Sequence, residues 1–218
     1  MLQLIEQGTP EWLSLRTGKV TGSVLKEAFA KGKNGNWLKS REDLIKRLAT
    51  ERRTNKPTES GFKSRAMMRG NEIEFAARAR YAMEMAKGVK IIQVPFIDHP
   101  TIPMAGVSPD GLVCEAGIDN GALEIKCPNS ATHDDWRLDG IIPEEHQYQC
   151  LWVLACTGRE WIDFVSFDDR FEIYEEQFFC KRLYRNEEVI AQLEADVMEL
   201  QEAIEQRVYA CANCRRAA

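Results

Sequence analysis

No apolar run in the sequence is long enough to cross a bilayer; Cys150 to Cys156, among the longest, falls far short of the roughly 20 residues required. Met1 is followed by Leu2, Gln3 and Glu6, which lacks the basic and then apolar stretches of a secretory leader. Internal repeats and a clear domain linker are missing, and the composition is neither low-complexity nor collagen-like. A secreted or membrane-bound protein is therefore not expected, and the reading is a cytoplasmic globular one. Histidine is scarce, and His99, His133 and His146 have no mutual spacing that points to a metal site. Cys211-x-x-Cys214 is half of a zinc motif without a second pair, so no zinc is expected. The seven cysteines are odd in number and several sit in apolar runs, where a reduced thiol behaves as a small buried hydrophobe.

What is present suits a globular core. The chain has 218 residues, 44% hydrophobic and 29% charged, enough for a domain that needs no disulfide staples. The net charge of −5 conceals a split: residues 1–70 carry 15 Lys and Arg against 7 Asp and Glu, whereas the rest carries 14 against 27. Such asymmetry fits a polyanionic partner or a basic helix face turned to solvent, and charge alone leaves both open.

Thr9-Pro10 reads as a helix start, with the helix ending near Gly18. Thr21-Gly22-Ser23 opens a second helix, with Val24, Leu25, Ala28 and Phe29 on its apolar face. A third helix is expected from Leu38 to Arg53, a loop from Thr54 to Lys63, and a fourth helix from Asn71 to Ala86. Strands follow at Val89–Ile97, within Ile102–Cys114, and at Ala122–Cys127. Asp134, Asp135, Arg137 and Asp139 read as a polar connection. Pro143 to Gly158 bounds a helix, Trp161–Phe167 a central strand, and Glu187–Ala210 a long helix whose Ile190, Leu193, Val197, Leu200 and Ile204 form a stripe. That stripe is expected to dock on its own domain rather than form a coiled coil. The sum is a mixed α/β or α+β protein.

Ser108-Pro109-Asp110-Gly111 and Leu123-Glu124-Ile125-Lys126-Cys127 carry the strongest chemical signal. Side chains alternate along a strand, so Glu124 and Lys126 share one direction while Leu123 and Ile125 point into the core. A hairpin brings Asp110 beside Glu124. Two carboxylates suit a hard cation such as Mg²⁺, which keeps several waters, and a neighbouring ammonium can orient or deprotonate one of them. That is a minimal set for phosphodiester hydrolysis.

With these residues in view, the sequence resembles the lambda exonuclease, or YqaJ-type viral recombinase, family of the PD-(D/E)xK nuclease superfamily. The resemblance runs from about Gln7 to Phe167. It rests on Glu11-Trp12-Leu13-Ser14-Leu15-Arg16 with Thr21-Gly22-Ser23, on Arg69-Gly70-Asn71-Glu72-Ile73-Glu74, on the two motifs above, and on Gln147-Tyr148-Gln149 before Trp152. It implies a restriction-endonuclease-like core, a central mixed sheet flanked by helices. It implies one nuclease domain over 1–218, with a basic helical part at 1–70, a catalytic core at 71–170 and a helical part at 171–218.

The resemblance also implies roles. Asp110 and Glu124 would bind Mg²⁺ (Mn²⁺ substituting) with the backbone carbonyl of Ile125, and Lys126 would hold the nucleophilic water. Glu74 would help bind a second metal or a metal-bound water. One of Gln147 and Gln149 would face the site, with the motif favouring Gln147, since helix residues two apart do not share a face. Arg16 and Ser23 would bind a terminal 5′-phosphate, in keeping with the free N–H groups of a helix start at Ser23. Some related nucleases carry an iron–sulfur cluster; four cysteines are needed and the C-terminal set lacks them, so none is expected. The family's enzymes are homotrimeric rings that degrade one strand of linear double-stranded DNA from its 5′ end and hand the 3′ tail to a single-strand annealing protein. Lys39, Arg41, Lys46, Arg47, Arg52, Arg53, Lys56, Lys63, Arg65 and Arg69 would then line a DNA channel. An endonuclease of the same superfamily and a non-catalytic DNA clamp or adaptor are the alternatives.

Overall fold

The computed structural model describes residues 5–58, 65–85, 89–115 and 117–213. Thr9 caps the first helix, α1 (Pro10–Arg16), its hydroxyl accepting from the Trp12 amide at 3.3 Å. A short strand β1 (Val20–Thr21) and a 3₁₀ turn (Gly22–Val24) lead into α2 (Leu25–Phe29), which buries Leu25, Ala28 and Phe29. Two longer helices follow, α3 (Lys39–Thr54) and α4 (Arg65–Glu84). Next come β2 (Lys90–Ile92), β3 (Ile97–Asp98), β4 (Ala105–Val107), β5 (Gly111–Glu115) and β6 (Ile118–Lys126). The chain then forms α5 (Ser130–Asp139), α6 (Glu144–Thr157), β7 (Trp161–Phe167), β8 (Phe178–Tyr184) and α7 (Glu187–Asn213).

The main sheet has the order β2-β5-β6-β7-β8. The β6–β7 pair is parallel and the others antiparallel, so the sheet is mixed. A parallel pair needs a crossover, and α5 with α6 supplies it. All seven residues of β7 are buried, as an interior strand covered on both faces requires. Alternation sorts them: Ile162 and Phe164 join a core with α2, α3, α6 and α7, whereas Trp161, Val165 and Phe167 join Ala77 and Tyr81 of α4. Strands β1, β4 and β3 form a small separate sheet.

Helix α7 buries its whole expected stripe, Ile190, Leu193, Val197, Leu200 and Ile204, against α3 and α6. The same contact joins opposite charges. Arg41 reaches Glu199 at 3.0 Å and Arg52 reaches Glu205 at 2.6 Å. Part of the charge split is therefore satisfied within the chain.

Several boundaries differ from the sequence reading. Helix α4 starts at Arg65, before Asn71. The strand expected at Val89–Ile97 is two strands, β2 and β3, parted by a segment containing Pro95, which has no N–H for a ladder. The polar connection around Asp134 is the helix α5, capped by Asn129 and closed at Gly140, whose φ is 64°. Its His133 is fully buried, with Nδ1 2.7 Å from the Ser166 hydroxyl and Nε2 2.8 Å from the Glu176 carbonyl. The part read as helical beyond 171 contains the edge strand β8. Residues 59–63 of the expected loop, residue 86 of the fourth helix and Cys214 lie outside the described residues.

Candidate active site

The β5–β6 hairpin sets the first distance. Gly111 pairs with Leu123, so Asp110 stands just outside the ladder beside Glu124. Asp110 Oδ2 accepts from the Ile125 amide at 2.7 Å. Glu124 is 1% exposed, and its Oε1 accepts from the Lys126 ammonium at 2.5 Å. Its second oxygen, Oε2, is buried without a hydrogen-bond partner in the protein. Leu123 and Ile125 point to the opposite face, into the core under α4. From α4, Glu74 approaches the same turn, held by an ion pair to Arg78 one helical turn on. Arg78 Nε also donates to the Asp110 carbonyl oxygen at 3.2 Å.

The electrostatics follow from crowding three carboxylates in little water. Burial pushes the Glu124 carboxyl up to about 8, against the pull of Lys126 and with a further push from Asp110. Burial likewise raises Asp110, opposed by Lys126 and the Ile125 amide. Glu74 is raised by burial and by Asp110, with Arg78 opposing. Burial alone would lower Lys126, but Glu124 and Asp110 outweigh it and hold the ammonium above the ordinary lysine range. The site crowds its carboxylates and leaves one buried carboxylate oxygen unpaired. That donor set fits a hard divalent cation, which Asp110, Glu124, the Ile125 carbonyl and Glu74 could hold. Among the described residues no three His, Cys, Asp or Glu side chains form a ready-made ligand cluster. A backbone carbonyl and water would therefore have to complete the coordination.

A second group of residues faces this one. Arg16 donates to the Ser23 hydroxyl at 2.8 Å and to the Thr21 hydroxyl at 3.3 Å. Its guanidinium lies 4.2 Å from the centre of the Trp12 ring. Trp12 Nε1 in turn donates to the Pro95 carbonyl at 2.9 Å and to Ser108 Oγ at 3.0 Å, which ties α1 to the loop that carries Asp110. Burial pulls Arg16 down to about 10, against the opposing pull of Glu124 and Asp110. The structure thus brings Arg16 and Ser23 together and sets Arg16 within reach of both carboxylates' fields.

Helix α6 places its two glutamines differently. The Gln147 amide donates to the Ile142 carbonyl at 3.0 Å, back into its own helix start. Gln149 lies against the Thr21–Ser23 turn, and a Cβ on Gly22 would come 3.3 Å from its Cγ. His146 packs between Trp136 and Phe164, where burial lowers it to about 4. Of the expected channel cations, Arg41 and Arg52 are engaged by α7, Arg47 by Glu27 at 3.2 Å, Lys39 by Asp43 at 3.6 Å, Lys46 by Glu42, and Arg69 by Asp168 at 3.2 Å. Arg53 and Lys56 are exposed. Lys63 lies outside the described residues. Two residues were missed in the sequence. Arg78 is four residues from Glu74, a spacing that signals an ion pair, and Trp12 is in the very motif that carries Arg16.

A family model described as the YqaJ-like viral recombinase domain matches residues 11–160. The crystal structure of an alkaline exonuclease from Laribacter hongkongensis is 38% identical, covers 96% of this chain and 100% of its own, and superposes with a TM-score of 0.84. The same enzyme in complex with dAMP gives 37% identity, the same coverage and a TM-score of 0.85. A phage-related exonuclease from Haemophilus somnus, 14% identical over 91% of this chain and 99% of its own, has a TM-score of 0.65 and shares the fold. No curated protein sequence matches. No helix among the described residues is long and apolar enough to cross a membrane. The extent of the family match and the identity to the Laribacter enzyme together show that this chain belongs to the YqaJ-like viral recombinase family of nucleases.

Proposed function

We propose that the protein is a divalent-metal-dependent exonuclease that degrades the 5′-phosphorylated strand of linear double-stranded DNA in the 5′→3′ direction. The observation that carries this reading is the juxtaposition of a buried Asp110–Glu124–Lys126 centre with an arginine–hydroxyl pair, Arg16 and Ser23, suited to a phosphate monoester. An anchor for a terminal phosphate beside a hydrolytic centre favours cutting from an end over cutting within a duplex. The dAMP that the Laribacter enzyme binds is a 5′-monophosphate, the kind of product that stepwise hydrolysis releases.

In this reading Asp110, Glu124, the Ile125 carbonyl and Glu74 are the groups that would hold Mg²⁺ or Mn²⁺. The ion supplies a Lewis acid for the phosphoryl oxygen and a more acidic water. Lys126, hydrogen-bonded to Glu124, would orient the attacking water. As the water oxygen adds to phosphorus and gives its proton to solvent, the bond between phosphorus and the 3′ oxygen breaks, and that oxygen takes a proton from solvent and leaves as the hydroxyl of the released 5′-mononucleotide. Arg16 and Ser23 hold the leading phosphate, and Gln149 packs behind their turn. The remaining 3′ tail passes to a single-strand annealing protein in phage-type recombination, in the bacterial cytoplasm. Three copies around the duplex would keep the enzyme on its substrate, with Arg53 and Lys56 among the cations free for phosphate contacts.

The test is digestion of linear duplex DNA, labelled on either strand, with 5′-phosphate or 5′-hydroxyl ends, in Mg²⁺ or EDTA, beside a circular duplex. Metal-dependent loss of the 5′-phosphorylated strand with the circle intact is expected. Cutting of the circle would replace this reading with an endonuclease, and binding without cutting would replace it with a clamp.

A further inference from the structure

Arg78 has no place in the motifs, yet it bonds directly to the residues of the centre. Its Nη2 pairs with Glu74, and its Nε donates to the Asp110 carbonyl oxygen at 3.2 Å. With the Gln93 carboxamide oxygen turned toward it, the terminal nitrogens donate there at 3.1 and 3.2 Å. The side chain is 14% exposed, so these bonds are largely sheltered from solvent. One guanidinium thus joins three separate pieces of chain: helix α4, the turn before β5, and the segment after β2. Only a planar fork with donors on several edges can do this, because a lysine offers a single point of charge.

We propose that Arg78 is a positioning residue that clamps Glu74 to the Asp110 turn and so sets the geometry in which the carboxylates take up their divalent cation. Glu74 stands on a helix and Asp110 on a strand edge, and Arg78 fixes the distance between them. The guanidinium also sets a positive charge on the Glu74 carboxylate while it grips the Asp110 backbone. Glu74 is thereby held at the rim of the centre, aimed by its partner rather than free to rotate. Groups that orient metal ligands from outside the coordination sphere commonly matter about 10–100-fold in metal affinity or activity. The proposal rests on the reading of the site as a metal-dependent nuclease centre, and the experiment below separates the two.

Mn²⁺ binding to metal-stripped full-length protein, read from the free-ion EPR signal, is measured beside steady-state hydrolysis of duplex DNA. R78Q is expected to weaken Mn²⁺ binding and to lower kcat, each by about 10–100-fold, with KM for DNA within about twofold of wild type. R78K should fall between wild type and R78Q, and it carries the comparison if R78Q does not fold. E74Q/R78Q should be no worse than E74Q alone, because the arginine acts through the glutamate. Mn²⁺ bound as tightly as, or more tightly than, in wild type, or losses that multiply in the double variant, would overturn the proposal. D110N tells the two readings apart. If D110N is inactive and R78Q is normal, Arg78 alone has been misread; if D110N still binds Mn²⁺ and cuts DNA, the nuclease centre and this proposal fall together.

Discussion

Replacing Arg16 by methionine should separate end recognition from folding. Methionine keeps an apolar stem over the Trp12 ring, from whose centre the guanidinium lies 4.2 Å, and removes only the charge and its donors. A guanidinium whose pKa is pulled from 12.5 to about 10 is less comfortable as a cation in the folded protein than in water. For a base with a lowered pKa, that penalty is present at every pH below the folded value and disappears above the unfolded one. At pH 7 the full 2.5-unit difference would be about 3 kcal/mol, and screening at a partly exposed site reduces it to about 1–2 kcal/mol. Loss of the hydrogen bonds to Ser23 and Thr21 opposes this by about 1–2 kcal/mol. Arg16→Met should therefore fold with a stability within about 1 kcal/mol of wild type in urea titrations. Its ability to tell a 5′-phosphate from a 5′-hydroxyl should fall by about 10–100-fold, since a charged hydrogen bond to phosphate contributes about 1.5–3 kcal/mol. Single-turnover digestion of the two kinds of end measures the second effect. A variant that loses more than about 3 kcal/mol of stability, or that keeps the wild-type preference for phosphorylated ends, would refute the reasoning.

Lys126→Met should lower hydrolysis by about 10²–10⁴-fold while leaving DNA binding in EDTA nearly unchanged, checked by gel shift beside a rate assay. Asp168 is fully buried, and burial alone would raise it, but hydrogen bonds from the Arg170 side chain, Ser130 and the Arg170 amide, with the charge of Arg170, outweigh that and hold it at about 2, below the ordinary 3.8. The stability this confers is complete above the unfolded value and is lost as pH falls through the folded one. Asp168→Asn should therefore cost about 2 kcal/mol near pH 7 and flatten the acid limb between pH 4 and 2, read by urea denaturation across pH. At Gly121 an added Cβ would fall on the Trp161 indole, which Arg182 covers at 3.5 Å. Gly121→Ala should cost about 1–3 kcal/mol by overpacking, measured as a drop in Tm.

Legibility in the sequence followed how local each signal was. The α1 cap, the α7 stripe and the β7 run are written in consecutive residues, and each appears where its pattern puts it. Strand β8 was not seen because Lys181 and Arg182 interrupt its apolar residues, and charge is tolerated on an edge strand. Helix α5 was hidden for the opposite reason: its polar face reads as a loop, while His133 and Trp136 point inward. In the candidate site, Asp110, Glu124 and Lys126 could be placed together from strand alternation and one hairpin. The meeting of Arg16 with those carboxylates could not, since it depends on α1 packing against the loop before β5 through Trp12. The basic residues of α3 were legible as charges, but their partners on α7 lie about 150 residues away and no local pattern points to them.

The parallel union of β6 with β7 has a consequence for the order in which the site is assembled. Glu124 is paired across the sheet with Phe164, forty residues on, and the two helices between must be in place before the strands can meet. Contacts of that separation form late, because closing the long loop must precede any gain from it. A growing chain that has made only the β5–β6 hairpin has the three chemical groups adjacent but still in water. Dehydration of Glu124, and with it the raised affinity for a proton, arrives when β7 seals one side. The buried environment of the centre therefore depends on β7 as much as on the hairpin that carries its residues.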